Sequence, residues 1–162
     1  MLTTADKRTT FRKLHESGCF IIPNPVDVGT AKALQHLGFK ALASTSAGFA
    51  WTIGKADNRV TVDDVCDHLA AICAAVDVPV NADFEDGFAH EADKVGINVA
   101  RAVKTGVAGL SIEDFTGDNA SRCSIARLPS IASGRRARRS MPTTAASCSL
   151  AAVRRSCGGK RI

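Results

Sequence analysis

The amino-acid sequence predicts an α/β protein in which helices cover a parallel sheet. Short apolar runs that suit buried strands alternate with amphipathic stretches that suit helices, and the alternation continues as far as residue 118. Glycines stand directly after several of the amphipathic stretches, where a helix ends most easily. Because this alternation is typical of β/α units, we expect four such units in succession.

The first predicted helix covers Lys7–Ser17 and ends at Gly18, which readily adopts the left-handed conformation of a helix end. Cys19–Ile22 is a short apolar run closed by Pro-Asn-Pro, which predicts a buried strand followed by a rigid turn. Val26–Leu37 carries its apolar residues on one stripe, which predicts a second helix that ends at Gly38.

The second predicted strand covers Ala41–Ser44. Thr45–Val60 is rich in glycine and polar residues, which predicts a long loop. Thr61 then caps a helix that runs through Val76, because acidic residues in the first turn suit the helix dipole.

The remaining elements repeat the same order. Val78–Asp83 is the third predicted strand, and Ala92–Thr105 is a helix that ends at Gly106. Val107–Ile112 is the fourth predicted strand. The four strands are apolar along their length, as expected of strands that are covered on both faces.

Charge divides the chain into two parts of opposite sign. Residues 1–118 hold all 16 acidic residues and 11 of the Lys and Arg residues, a net charge of −5. Residues 119–162 hold ten Lys or Arg residues and no acid, a net charge of +10. We therefore predict a β/α domain over 1–118 and an Arg-, Ala- and Ser-rich tail without regular structure over 119–162.

The tail contains the Arg pairs Arg135-Arg136, Arg138-Arg139 and Arg154-Arg155, which are of the kind found in nucleic-acid-binding arms. No aromatic residue lies between them to stack on bases, and no recognisable binding motif surrounds them. We therefore favour a solvated tail without such a role and expect no nucleic-acid partner.

Targeting and membrane signals are absent from the sequence. No apolar run reaches the ~18 residues of a membrane span, and the N-terminal MLTTADKRTT lacks the apolar segment of a signal peptide. We expect a cytoplasmic protein with no membrane partner.

Carboxylates follow the predicted strands at the points where strands end. Asp83 closes the third strand and Glu85 lies two residues later, whereas Glu113 closes the fourth strand and Asp57 lies in the long loop. In parallel β/α proteins such positions meet at one edge of the sheet. Oxygen-rich sites of this kind suit Mg²⁺, although acidic residues after strands also serve as helix caps or face solvent. The spacing therefore leaves a metal site and these structural roles both open.

Hydroxyls follow the second strand. Ser44, Thr45 and Ser46 offer hydroxyl groups and backbone N–H groups to an anion at the same predicted edge.

The ordered motifs in Phe11–Asp118 resemble the isocitrate lyase/phosphoenolpyruvate mutase superfamily, and more closely its phosphonomutase-like and methylisocitrate lyase-like branch. The motifs are, in order, PNPVDVGTAKALQHLGFKALASTSAGFAWTIGKAD, RVTVDDVCDHLAAICAAVDVPV, NADFEDGFA, KTGVAG and LSIEDFTGD. The resemblance implies that residues 1–118 are the first four β/α units of a TIM-type (β/α)8 barrel. A complete barrel of this kind typically needs about 250 residues.

The resemblance also implies a metal site. Asp83 corresponds to the direct Mg²⁺ ligand of the family, and Glu85 to the acid that holds the ion through water. Glu113 and Asp57 complete the implied set and are assigned catalytic roles. Mg²⁺ is the expected cofactor, with Mn²⁺ as an alternative.

The substrate implied by the resemblance is a small α-keto acid or 2-hydroxy acid. Ser44, with the neighbouring Thr45 and Ser46, corresponds to the group that binds the substrate carboxylate, and Ser44 is also assigned a catalytic role. Asp83 would contact the substrate through the metal. The full-length family is expected to form homo-oligomers.

The sequence departs from the family at two places. Isocitrate and methylisocitrate lyases carry a K-K-C-G-H motif where this chain has DFEDGFAHEADK, so we expect a decarboxylase, another lyase or an enzyme of carbon–phosphorus bonds. After Asp118 no further family motif follows. We hypothesise that the reading frame shifts shortly after Asp118, which sequencing of the gene would test.

Three functions remain open from the sequence. The first is an enzyme, a Mg²⁺-dependent carbon–carbon lyase or phosphonomutase-type protein whose turnover is impaired by truncation. The second is a non-catalytic fragment that binds a metal or a partner. The third is a nucleic-acid-associated protein that uses the basic tail.

Overall fold

The computed structural model describes residues 2–113 and the backbone of residues 149–150. Within them, helices alternate with the strands of a four-stranded parallel sheet, so the predicted α/β architecture is confirmed. In chain order the elements are α1 (Thr4–Leu14), α2 (Val28–His36), β1 (Leu42–Ala43), α3 (Ser46–Thr52), α4 (Val62–Ala75), β2 (Val80–Asp83), α5 (Ala92–Lys104), β3 (Gly109–Ser111) and β4 (Ser149–Leu150).

The strands lie in the sheet in the order in which they occur in the sequence. β2 pairs with β1 on one side and with β3 on the other, and both pairings are parallel. Beyond β1, the N–H of Ser44 still donates to the carbonyl of Asn81 at 2.9 Å, and beyond β2 the N–H of Phe84 donates to Ser111 at 3.1 Å. The residues that follow β1, β2 and β3 therefore meet at one edge of the sheet.

The core lies between the sheet and the helices. Its larger part is formed by apolar residues from the strands, from α4 and α5 and from the segments between them. A smaller cluster of Phe11, Ala41 and Ala108 lies beneath α1. The fully buried side chains with the largest volumes are Phe84, Leu42, Leu69, Ile72, Leu110, Val76, Val80, Val107, Pro25 and Pro79. Burial of these side chains packs the sheet against the helices and thereby holds the sheet edge in place.

Side chains bond both ends of helix α4. Thr61 is the N-cap of α4, as predicted, and its hydroxyl accepts a hydrogen bond from the N–H of Asp64 at 3.2 Å. The opposite end of α4 is bonded by the buried Lys7 of α1, whose Nζ donates to the carbonyls of Cys73 and Val76. These contacts fix α1 against α4.

Two parts of the described chain differ from the predictions. The predicted loop Thr45–Val60 contains α3, because Thr45 acts as an N-cap for the seven residues that follow. Cys19–Ile22 was predicted to be a strand but forms none, because no backbone ladder joins it to β1 among the described residues. Directly after it, the N–H of Ala43 donates to the carbonyl of Pro23 and Nδ2 of Asn24 donates to the carbonyl of Ala43, each at 3.0 Å.

β4 lies within the segment 119–162, for which the sequence predicts no regular element. It pairs with β3 in parallel, with Ser149 opposite Gly109. The rest of that segment, with the Arg pairs and the hypothetical frameshift, lies outside the described residues, and the predictions for it stay predictions. Among the helices that are described, none has the length and apolarity needed to cross a membrane.

Candidate functional site

Asp83 ends β2 and is bonded to the segment that follows β1. The N–H and the Oγ of Ser46 both donate to Oδ2 of Asp83, each at 2.9 Å. The backbone N–H of Asp83 donates to Oγ of the buried Ser44 at 2.8 Å. Two neighbouring strand ends are therefore joined through one aspartate, whose carboxylate is held in a defined orientation.

The three hydroxyls predicted to receive an anion all make hydrogen bonds within the protein. Ser44 and Ser46 bond Asp83, and Oγ1 of Thr45 accepts from the N–H of Gly48 at 3.3 Å, which starts α3. Their proposed contact with a substrate carboxylate stays a prediction. What the structure adds is that these residues also orient Asp83 and begin a helix.

Glu85 lies in the loop that directly follows β2. Its backbone has φ of 44°, and its side chain is 8% exposed. The backbone carbonyl of Glu85 accepts a hydrogen bond from the N–H of Glu113 at 2.7 Å, which brings the residues after β2 and β3 together. Oε1 of Glu85 is buried and has no hydrogen-bond partner among the residues that the structure describes. A buried, unpartnered carboxylate oxygen is energetically costly.

Four other carboxylates act on Glu85 through their charges. Burial, and then the charges of Asp57, Asp86, Asp83 and Glu113, raise the pKa of Glu85 to about 7. Each of these four charges disfavours the ionised form of Glu85. A bound cation would reverse this effect, because it would compensate the clustered negative charge.

The predicted metal ligands differ in how the structure places them. Asp83 and Glu85 lie together at the end of β2, whereas Glu113 and Asp57 are exposed. Oδ1 of Asp57 accepts from the N–H of Asn58, its neighbour in the chain, at 3.0 Å. Among the described residues, no group of three or more His, Cys, Asp or Glu side chains is arranged to hold a metal ion. The four carboxylates therefore do not form a direct coordination set.

The residues nevertheless fit a Mg²⁺ ion that is held mainly through water. Mg²⁺ usually keeps several waters and uses one or two protein carboxylates directly. Asp83 is oriented by Ser46, and Glu85 presents the unpartnered Oε1 beside it. Glu113 and Asp57 act on Glu85 through their charges. The donor set is all oxygen, which is the chemistry that Mg²⁺ and Mn²⁺ prefer.

The sequence did not reveal two residues that shape this loop. Oδ1 of Asp86 accepts a hydrogen bond from the N–H of Phe88 at 2.8 Å. Asn98 of α5 donates from Nδ2 to the carbonyls of Gly87 and Phe88. An asparagine in the middle of a helix is a weak signal of such a role, because asparagine is a poor helix former.

Comparison with known proteins decides the family. The phosphoenolpyruvate phosphomutase family model matches residues 11–152. The chain belongs to this family. Its relatives place it in the isocitrate lyase/phosphoenolpyruvate mutase superfamily, as the sequence motifs predicted. The matched range begins at Phe11, where the resemblance in the sequence begins, and extends past Asp118.

Family members with known names or structures share this part of the fold. The chain is 34% identical to 2-methylisocitrate lyase of Escherichia coli over 108 residues, which cover 62% of this chain and 36% of that one. It is 44% identical to a protein of Burkholderia cenocepacia J2315 provisionally described as a lyase/mutase, with a TM-score of 0.72 over 74% of this chain and 44% of that one. Oxaloacetate acetylhydrolase in complex with oxalate is 28% identical, with a TM-score of 0.63 over 68% of this chain and 40% of that one.

The chain spans less than half the length of these relatives. The matched share of the curated relatives lies between 33% and 42% of their residues.

Proposed function

We propose that this chain carries the metal-binding side of an enzyme site that acts on an α-keto acid or its enolate. The metal would be Mg²⁺, with Mn²⁺ as an alternative, and the reaction would be carbon–carbon cleavage or a phosphonomutase-type transfer. The observation that carries the proposal is the buried, unpartnered Oε1 of Glu85 beside the oriented carboxylate of Asp83. A bound cation would compensate the negative charge of carboxylates that cluster at a strand end.

Each part of the site has a proposed task. Asp83 and Glu85 would hold the ion, and Ser46 would keep Oδ2 of Asp83 in place through its two hydrogen bonds. Ser44 would fix the backbone of Asp83 and, with its neighbours, face the substrate carboxylate. When bound, the ion would supply a Lewis acid that stabilises the negative charge of an enolate.

Asp57 and Glu113 are proposed to act from the solvent side of the site. Both side chains are exposed, and both charges act on Glu85. An exposed carboxylate near a bound ion can hold metal-bound water or exchange a proton with a substrate. The family resemblance implies that both residues are catalytic.

Oxalate binding tests the site directly, because oxalate mimics the enolate of pyruvate. We expect calorimetric titration of the full 162-residue chain with oxalate to give binding in Mg²⁺ and none in EDTA. Asp83→Ala should abolish this binding, whereas Asp67→Ala, on the exposed face of α4, should leave it unchanged. Equal binding in Mg²⁺ and EDTA, or none in either, would contradict the proposal.

A metal-binding protein without turnover is the second candidate. Release of pyruvate from oxaloacetate or 2-methylisocitrate, dependent on Mg²⁺ and lost in Asp83→Ala, would identify an enzyme. Oxalate binding without such release would identify the second candidate. Nucleic-acid binding rests on residues outside the described part of the chain and would require DNA binding that weakens steeply with salt.

A further inference from the structure

The loop of residues 84–88, which follows β2, has an unusual backbone. Glu85 and Phe88 have φ of 44° and 57°, and Gly87 has φ of 84°. Positive φ is uncommon for a glutamate and is a clear outlier for a bulky phenylalanine. Such conformations persist where the surrounding structure fixes them, and they cluster at functional sites.

Helix α5 packs closely against this loop. A Cβ atom at Gly87 would lie 2.8 Å from Cγ1 of Val95, so position 87 has no room for a side chain. Asn98 lies one turn further along α5, on the same side of the helix. Its Nδ2 donates to the carbonyl of Gly87 at 3.0 Å and to that of Phe88 at 3.3 Å.

The two ends of the loop are attached to different elements. Its beginning is bonded to the residues of β3 and just after it, through the N–H of Phe84 to Ser111 and the N–H of Glu113 to the carbonyl of Glu85. Of the side-chain hydrogen bonds that the structure describes, those of Asn98 join the end of the loop to a helix. Glu85 therefore lies between a sheet attachment and a helix attachment.

We propose that Asn98 is a positioning residue for the cation site, an inference that rests on the proposed function. By bonding two successive carbonyls, Asn98 holds residues 87 and 88 in the left-handed conformation. This keeps Glu85 turned inward beside Asp83, although its neighbours repel it. Without the amide donor, the loop would relax and Glu85 would move toward solvent, away from the ion.

The test compares three substitutions in the full chain. Asn98→Asp is isosteric but replaces the amide donor with an acceptor, and its added negative charge would by itself strengthen cation binding. Asn98→Gln keeps an amide on a longer side chain. Val99→Ala, the matched control, removes buried apolar atoms from the next residue of α5, whose side chain has no group that could bond the loop carbonyls.

Two measurements separate positioning from general stability. The first is the Kd of Mn²⁺, measured by electron paramagnetic resonance. We expect it to rise about tenfold or more in Asn98→Asp, to recover partly in Asn98→Gln and to stay unchanged in Val99→Ala. The second is hydrogen exchange of the 84–88 amides in the metal-free protein. It should accelerate in Asn98→Asp and stay unchanged in Val99→Ala.

The outcomes distinguish this inference from the proposed function. If the wild-type chain binds Mn²⁺ and Asn98→Asp binds it equally well, the positioning role is wrong and the proposed function stands. If Val99→Ala weakens binding as much as Asn98→Asp, the effect is one of stability and the inference is also wrong. If the wild-type chain binds no Mn²⁺, the proposed function fails and Asn98 has no cation site to position, even if exchange of the loop accelerates in Asn98→Asp.

Discussion

Ser46 donates two hydrogen bonds to a single carboxylate oxygen of Asp83, one from its backbone N–H and one from its hydroxyl, each 2.9 Å long. The two residues are 37 positions apart in the sequence and follow or end neighbouring strands. Because both bonds go to Oδ2, they hold this oxygen in a fixed position.

Removal of the Ser46 hydroxyl tests this relationship. Ser46→Ala deletes one of the two bonds, and a hydrogen bond to a charged group contributes about 1.5–3 kcal/mol. We expect the Kd of Mg²⁺-dependent oxalate binding to rise about tenfold, measured by calorimetry. Thr52→Ala removes a hydroxyl from the other end of α3, where it donates to the carbonyl of Phe49, and should leave the Kd unchanged. Equal effects of the two substitutions would contradict the prediction.

Glu85→Gln should stabilise the metal-free protein while it weakens cation binding. Folding raises the pKa of Glu85 from 4.5 to about 7, so the folded state binds more protons between these values. Stability from this group is therefore fully present below pH 4.5 and is lost as the pH rises through 7. At pH 8 the gain in the free energy of unfolding could reach about 3 kcal/mol.

Denaturant unfolding in EDTA at pH 8 and at pH 4 measures this gain, and Mn²⁺ titration measures the loss of binding. Glu16→Gln makes the same change at an exposed position after α1 and should alter neither quantity. A destabilised Glu85→Gln protein at pH 8 would show that Glu85 is not a strained carboxylate.

His68 makes the stability of the protein depend on pH in the direction opposite to that of Glu85. The His68 ring stacks on Phe49 with centroids 4.0 Å apart, and its Nε2 is buried without a hydrogen-bond partner. Burial lowers the pKa of His68, against the opposing effect of Asp27. The folded state therefore binds fewer protons, and stability is lost as the pH falls through 6.5 and below.

His68→Phe keeps a ring on Phe49 but cannot be protonated. We expect its free energy of unfolding to fall less than that of the wild type between pH 7.5 and pH 5.5, as measured by denaturant unfolding. Glu85 contributes equally to both proteins, so its contribution cancels in the difference between their free energies of unfolding. His90→Phe, at an exposed position, should follow the wild type. If the free energy of unfolding of His68→Phe fell in parallel with that of the wild type, His68 would be excluded as the cause of the pH dependence.

Lys7 should stabilise the fold by bonding backbone carbonyls at the C-terminal end of α4. The buried Nζ donates to the carbonyls of Cys73 and Val76, so Lys7→Met would leave both without this donor. An unsatisfied buried polar group costs about 1–3 kcal/mol, and we expect a loss of that size in the free energy of unfolding. Lys13→Met, on the exposed side of α1, should cost far less. Equal losses in a denaturant titration would contradict the prediction.

Much of the fold could be predicted from local patterns. Thr61 was identified as the N-cap of α4, and the alternating apolar stretches gave α1, α2, α4, α5 and the three strands before residue 118. α3 was missed because its seven residues carry no repeated apolar face long enough to distinguish them from a loop. Cys19–Ile22 was wrongly predicted as a strand, because apolar content alone does not show whether a ladder partner is available.

The candidate site could also be predicted in part from the order of residues along the chain. Asp83, Glu85 and Glu113 follow strands, and parallel strands end at one edge, so their proximity could be expected. The sequence could not show that Ser46 bonds Asp83 or that Asn98 bonds the 84–88 loop, because these pairs are joined by packing between distant elements.

By itself, the sequence determined the α/β class, the family and the edge of the sheet at which the carboxylates lie. The periodicity of apolar residues, the family motifs and the succession of strands along the chain are all visible in the sequence. The tertiary structure decided how those carboxylates are held. It buried Oε1 of Glu85 without a partner, fixed Oδ2 of Asp83 with Ser46 and left Asp57 and Glu113 exposed. Burial and side-chain orientation depend on neighbours that are remote in the chain, and therefore only the folded arrangement determines them.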